Sequence, residues 1–129
     1  MSANAPTRWR HLVKDQLTNA TQRVERAERY VVDEDGSRAM QEVYPVIVTL
    51  ATIRVWMDAP PWEEMLPPDE MRRRVQGEFP NLFAALSELD VQQVLTRPWA
   101  AVDAQPYVLE ARSLLDDVSA RARAWMEGK

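Results

Sequence analysis

The chain of 129 residues contains no cysteine, one histidine and three glycines, and each shortage removes a class of chemistry. Without cysteine there are no disulfides, no thiolate nucleophile and no cysteine-ligated zinc or iron–sulfur cluster. His11 is the sole histidine, which rules out a histidine-pair metal site and any Ser-His-Asp arrangement built on a second one. It is available only as a lone general base, at a position that also suits an ordinary surface residue in the first turns of a helix. Gly36, Gly77 and Gly128 are too scattered to form a glycine-rich phosphate loop. Lysine is scarce as well, with Lys14 and Lys129 set against 14 arginines. Arginine favours bidentate and stacked contacts, but a GC-rich coding bias produces the same ratio, so the ratio identifies no function.

Long apolar runs are also missing. The most apolar stretch, about 15 residues ending at Met57 and interrupted by Arg54, is too short and too polar to span a bilayer. The opening MSANAPTRWR is not followed by an apolar core of signal-peptide length, and the expectation is a protein kept in the cytoplasm. With 46% apolar and 28% charged residues the composition is that of an ordinary folded protein, and the length suits one domain over residues 1–129. A net charge of −4 speaks against a strongly electrostatic nucleic-acid binder, although a local basic face is compatible with it.

What the sequence does contain is apolar periodicity at both ends. Trp9, Val13, Leu17, Ala20, Val24, Ala27 and Val31 recur at steps of three or four, as do Val108, Ala111, Leu115, Val118, Ala122 and Trp125. This spacing lays each set along one side of a helix, and such a stripe must be covered by another element. The first helix is predicted from about Pro6 or Thr7 to Val32. The run Asp33-Glu34-Asp35-Gly36 ends it, with Gly36 free to take positive φ and Ser37 placed to cap the second helix. Residues 38–57 are apolar on nearly every side, as a central bundle helix should be. Pro45 is expected to kink or restart that helix. Seven of the twelve residues at 46–57 are Val, Ile or Thr, which also suit a strand, but an isolated strand would have no partner. The segment 58–68, DAPPWEEMLPP, reads as a rigid surface loop. Asp69 is then expected to cap a short helix ending at Gly77. Residues 81–95 hold one or two short helices, with Leu82 among the residues turned inward. A last helix starts near Asp103 or Pro106 and continues to about Glu127. These elements give an all-α fold class: a single bundle of about five helices, with long terminal helices packed around an apolar central one.

Few constellations stand out for function. Glu25 and Glu28 have the spacing of a carboxylate metal pair but flank the apolar stripe without an inward partner set, so neither a metal nor a cofactor is expected. Asp117 and Arg121 fit a surface i,i+4 pair. Arg72-Arg73-Arg74 is the densest cationic run and suits either a polyanion or acidic partner, or a solvated helix face. Trp62 and Trp99 stand beside prolines outside the helical stripes, as partner-binding anchors or as caps on the core.

The stretch RVERAERYVVDEDGSRAMQEVYPVIVTLATIRVWM at 23–57 resembles the first helical hairpin of the HEPN superfamily, and VLEARSLLDDVSARARAWME at 108–127 resembles its terminal helix. Active ribonucleases of that superfamily carry Arg and, four to six residues later, His on a late helix; no histidine follows His11 here. The resemblance therefore implies a bundle without nuclease chemistry. A weaker likeness is to the small helical subunits of CRISPR effector complexes, in which a closing helix carries a Tyr near its start, as Tyr107 does here. The expected function is binding of another protein, or self-association, without catalysis. The alternatives are a subunit of a nucleic-acid complex and an enzyme with an unrecognised carboxylate site.

Overall fold

The computed structural model describes residues 7–58, 67–86 and 91–127. They form six helices and no strand: α1 (Thr7–Val32), α2 (Gly36–Asp58), α3 (Pro68–Gly77), α4 (Asn81–Leu86), α5 (Val91–Thr96) and α6 (Ala101–Met126). The three long helices each pack on the other two and make the body of an all-α bundle; α3 and α5 lean on α2, and α4 on α6. Among the described residues no helix is long and apolar enough to cross a membrane. Most of the proline-rich segment 58–68, Trp62 included, lies outside the described residues.

The terminal stripes are the core. Val13, Ala20, Val24 and Ala27 from α1 and Val108, Ala111, Leu115, Val118 and Ala122 from α6 are buried in one cluster with Met40, Val43, Ile47, Leu50 and Ile53 of α2. Buried residues spread around much of α2, with Ala51 and Val55 turned to Val75 of α3. The β-branched run at 46–57 is therefore helical because burial from several directions outweighs its strand preference. α2 runs unbroken through Pro45 rather than restarting there. The donor that Pro45 lacks would have bonded the carbonyl of Gln41, which is an exposed position, so the missing bond falls on the solvated side. Leu82, expected inside, is 37% exposed, because Phe83 and Leu86 supply the inward face of the six-residue α4.

The α1–α2 turn also departs from the sequence expectation. Glu34, not Gly36, takes positive φ, at 62°. The Asp35 amide donates to the Tyr30 carbonyl at 2.7 Å and the Glu34 amide to that of Val31 at 3.0 Å, the bonding pattern of a Schellman C-cap. Asp35 caps α2, its Oδ1 accepting the Arg38 amide at 3.1 Å. Ser37 is used elsewhere: its hydroxyl accepts the Trp99 amide at 3.0 Å. Gly36 is needed for proximity, since a Cβ there would stand 2.5 Å from the Ala100 carbonyl and from the Trp99 oxygen. Two further helix starts come earlier than expected. α3 begins at Pro68, which leaves Asp69 in its first turn without a capping bond, and α6 begins at Ala101. Pro106 then falls inside α6, where the carbonyl lacking its donor belongs to exposed Val102.

The join at Gly36 sets the start of α2 beside the start of α6, and Arg121 reaches Asp58 at 2.6 Å at their far ends. The two helices are thus parallel. The segment carrying α3, α4 and α5 brings the chain back along the bundle, a return of about 34 Å at 1.5 Å per helical residue. α1 is antiparallel to both.

Urea denaturation should register both the close approach at Gly36 and the packing of the core. Gly36→Ala should cost about 1–3 kcal/mol by forcing apart two backbones and Leu115→Ala about 2–5 kcal/mol by leaving a cavity, whereas exposed Arg123→Ala should cost under about 0.5 kcal/mol. Glu34→Gly should instead stabilise by about 0.5–1 kcal/mol, because glycine takes the left-handed conformation without a Cβ penalty.

Candidate functional site

The three long helices are laced by ion pairs. Between α1 and α2, Glu42 accepts from Arg26 Nε at 2.9 Å and lies 4.0 Å from Arg23. Between α1 and α6, Arg112 grips Glu28 with both ends of its fork, Nε to Oε2 at 3.0 Å and Nη2 to Oε1 at 2.6 Å. These bonds hold the Arg26 and Arg112 guanidinium groups above their ordinary pKa. Asp116 and Glu25 add to the field at Arg112. Between α2 and α6, Arg54 spans Asp117 at 3.3 Å and Glu78 at 3.9 Å. The expected Asp117–Arg121 pair is thus replaced by two bridges to α2, since helices in contact offer closer partners than the next turn of α6 does. Glu28, half of the Glu25–Glu28 spacing, is committed to Arg112. Among the described residues no group of three His, Cys, Asp or Glu side chains could hold a metal ion, and His11 is exposed on α1.

Trp99 does not stand free. Its side chain is only 6% exposed, the Tyr107 ring meets it edge to face at 5.3 Å, and Phe83 meets Tyr107 in the same way at 5.2 Å. The Arg97 guanidinium lies 3.8 Å from the Trp99 ring centre. Trp99 thus closes one end of the core and is no exposed anchor; a residue beside Pro98 is drawn inward because the 97–100 segment is pinned to Gly36 and Ser37. Trp9 and Trp56 make a similar edge-to-face pair at 5.1 Å near the other end. Trp62, its companion as a candidate anchor, falls among the residues not described.

The arginine run is largely spent within its own helix. Arg73 and Arg74 both pair with Glu70 one turn earlier, Arg74 at 3.1 Å. Arg72, also exposed, has no ion pair among the described residues. Asp69 and Glu70 in the first turn further offset the charge of the run. A phosphate-binding face would need several cations free at once, and α3 presents one.

Two concave regions among the described residues bear on binding. A cleft of about 500 Å³ opens between α6 and the α3–α4 connection, lined by Arg54, Glu78, Phe79, Pro80, Glu110 and Asp117 among others. Arg54 sits among its carboxylates as an internal counter-ion, and no histidine or thiol reaches it. The second lies along α1, a shallow groove of about 400 Å³ lined by Glu25, Glu28, Arg29 and Val32. It borders the only described helix edge with strongly exposed large apolar side chains: Val32 is 81%, Val102 72% and Leu109 60% exposed. The Glu28–Arg112 clamp sets the level of the two antiparallel helices there. One turn beyond Glu28 is Val32, and one turn before Arg112 on the facing helix is Leu109, so the two lie at one height beside the seam. Val102 stands two turns below Leu109 on the same face of α6.

This edge was missed in the sequence. The signal was present, because Val102 and Leu109 are seven residues apart and out of phase with the buried stripe of Val108, Ala111, Leu115 and Val118.

Two changes separate these regions by measurement. Trp99→Ala should lower stability by about 3–5 kcal/mol, the cost of emptying an aromatic core site. Arg72→Glu, Arg73→Glu and Arg74→Glu together should leave retention of RNA at low salt unchanged in a filter-binding assay; steep salt-dependent binding that the triple variant abolishes would instead identify α3 as a polyanion site. Searches with protein-family models, against curated proteins and against solved structures give no match to this chain.

Proposed function

We propose that this bundle is a non-catalytic accessory protein of the cytoplasm that works by binding another protein, and that the α1–α6 edge carries the contact. One observation supports this above the rest: of the three most exposed large apolar side chains among the described residues, Val102 and Leu109 share one face of α6 and Val32 ends α1 at the level of Leu109. Single exposed apolar residues need no explanation, but a cluster is a mark of an interaction surface. The titratable side chains that bridge helices, such as Glu28, Glu42 and Arg54, are by contrast occupied by one another. The reading keeps the helical architecture implied by the resemblance to the HEPN superfamily, without ribonuclease chemistry, since no histidine follows His11.

The test is affinity capture from the source organism's extract with wild-type chain and with the paired variant Val102→Ser, Leu109→Ser. The expected result is a protein held in stoichiometric amount by the wild type and lost by the variant, at unchanged melting temperature. Nucleic acid in place of protein, or a captured protein indifferent to both substitutions, would contradict the reading.

A further inference from the structure

We infer that the α1–α6 edge receives a basic amphipathic helix from a different chain, an inference that rests on the partner-binding reading above. Val32 and Leu109 stand at one height beside the seam between two antiparallel helices, and Val102 continues the exposed apolar face of α6 past the end of α1, a strip onto which a partner helix can lay its own apolar face. The charges around them select the charge of that partner. Glu25 lines the groove; Asp33 and Glu34 come directly after Val32, and Asp116 lies two turns beyond Leu109 on the same face of α6. The cations on the same edge are Arg29 and Arg112, and Arg112 is neutralised by its two bonds to Glu28. The carbonyl end of α1 adds a partial negative charge beside Val32.

Lysine or arginine on the flanks of an incoming helix would meet carboxylates that outnumber the cations beside them, which speeds encounter and fixes orientation, while its apolar residues cover Leu109 and Val32. A second copy of this chain is the poorer occupant. Two such edges brought together would set Glu25, Asp33, Glu34 and Asp116 of one copy against the same carboxylates of the other. Nucleic acid is repelled for the same reason.

The probe is a fluorescein-labelled 18-residue helix of leucine and lysine in amphipathic order, titrated into the full chain and followed by anisotropy. Controls are the same pattern with glutamate for lysine, and a lysine peptide without leucine. Leu109→Ser and Val32→Ser should each weaken the leucine–lysine helix by about tenfold, the loss expected when a largely buried aliphatic contact is removed. Glu25→Lys with Asp116→Lys should weaken it and flatten its salt dependence, and Leu82→Ser on α4 should have no effect. The substituted positions are exposed, and a thermal melt by circular dichroism checks that each variant is folded. If the leucine–glutamate helix binds equally well through Leu109, the basic partner is wrong while the partner-binding reading survives. If neither helix responds to Leu109 or Val32, both fail. A concentration-dependent dimer dissolved by Leu109→Ser would also overturn the inference, in favour of a second copy.

Discussion

Two backbones meet where Gly36 at the start of α2 lies against Trp99 and Ala100 at the start of α6, and the arrangement of the bundle follows from this contact. No side chain larger than hydrogen fits between them. The Ser37 hydroxyl receives the Trp99 amide beside this contact, so the two helix starts are fixed in proximity and in register. From there α2 and α6 descend side by side. Their residues Arg54 and Asp117, then Asp58 and Arg121, meet at successive levels. A parallel pair cannot be joined by a short turn, and the short helices α3, α4 and α5 are the crossover this demands. Trp99 is buried for the same reason: a segment held against Gly36 brings its side chain over Tyr107.

α1 closes the bundle by reading both partners. Its apolar stripe is buried against α2 and α6, and its flanks carry opposite charges suited to each: Arg23 and Arg26 toward Glu42 of α2, Glu28 toward Arg112 of α6. Ion pairs this exposed add little stability singly. Their consequence is geometric, since the two-point Arg112–Glu28 clamp sets the height at which Val32 stands beside Leu109. Among the described residues Glu28, Glu42, Asp58 and Asp117 have arginine partners on neighbouring helices, whereas the carboxylates around Val32 and Leu109 outnumber the cations available to them.

The long helices were legible in the sequence because periodicity is a local property. The stripe from Val13 to Val31 and that from Val108 to Ala122 needed only the helical repeat to be read. The features that stayed hidden depend on residues far apart in the chain. Gly36 resembled a turn glycine beside Asp35, and only the proximity of Ala100 shows that the missing Cβ matters more than positive φ. Glu34 takes the left-handed position at the modest cost a non-glycine residue bears there. Trp99 beside Pro98 suited either a partner-binding anchor or a cap on the core, and Arg72-Arg73-Arg74 either a polyanion site or a solvated face; the contacts with Tyr107 and Glu70 that bear on each choice were not legible from those positions alone. The candidate edge is the opposite case: Leu109 and Val102 announced themselves by being out of phase, but their meaning required the antiparallel α1 to place Val32 beside them.

The absence of cysteine allows that placement to be measured without background, by spin labels at Val32→Cys and Leu109→Cys, both solvent-exposed, and distances from pulsed electron resonance. A second pair, Val32→Cys with Ala124→Cys, samples the far end of α6, about 22 Å further along the helix. An antiparallel α1–α6 edge predicts a short, narrow distance distribution for positions 32 and 109 and a much longer one for 32 and 124. The reverse order, or equal distances, would contradict the edge on which the proposed docking surface depends.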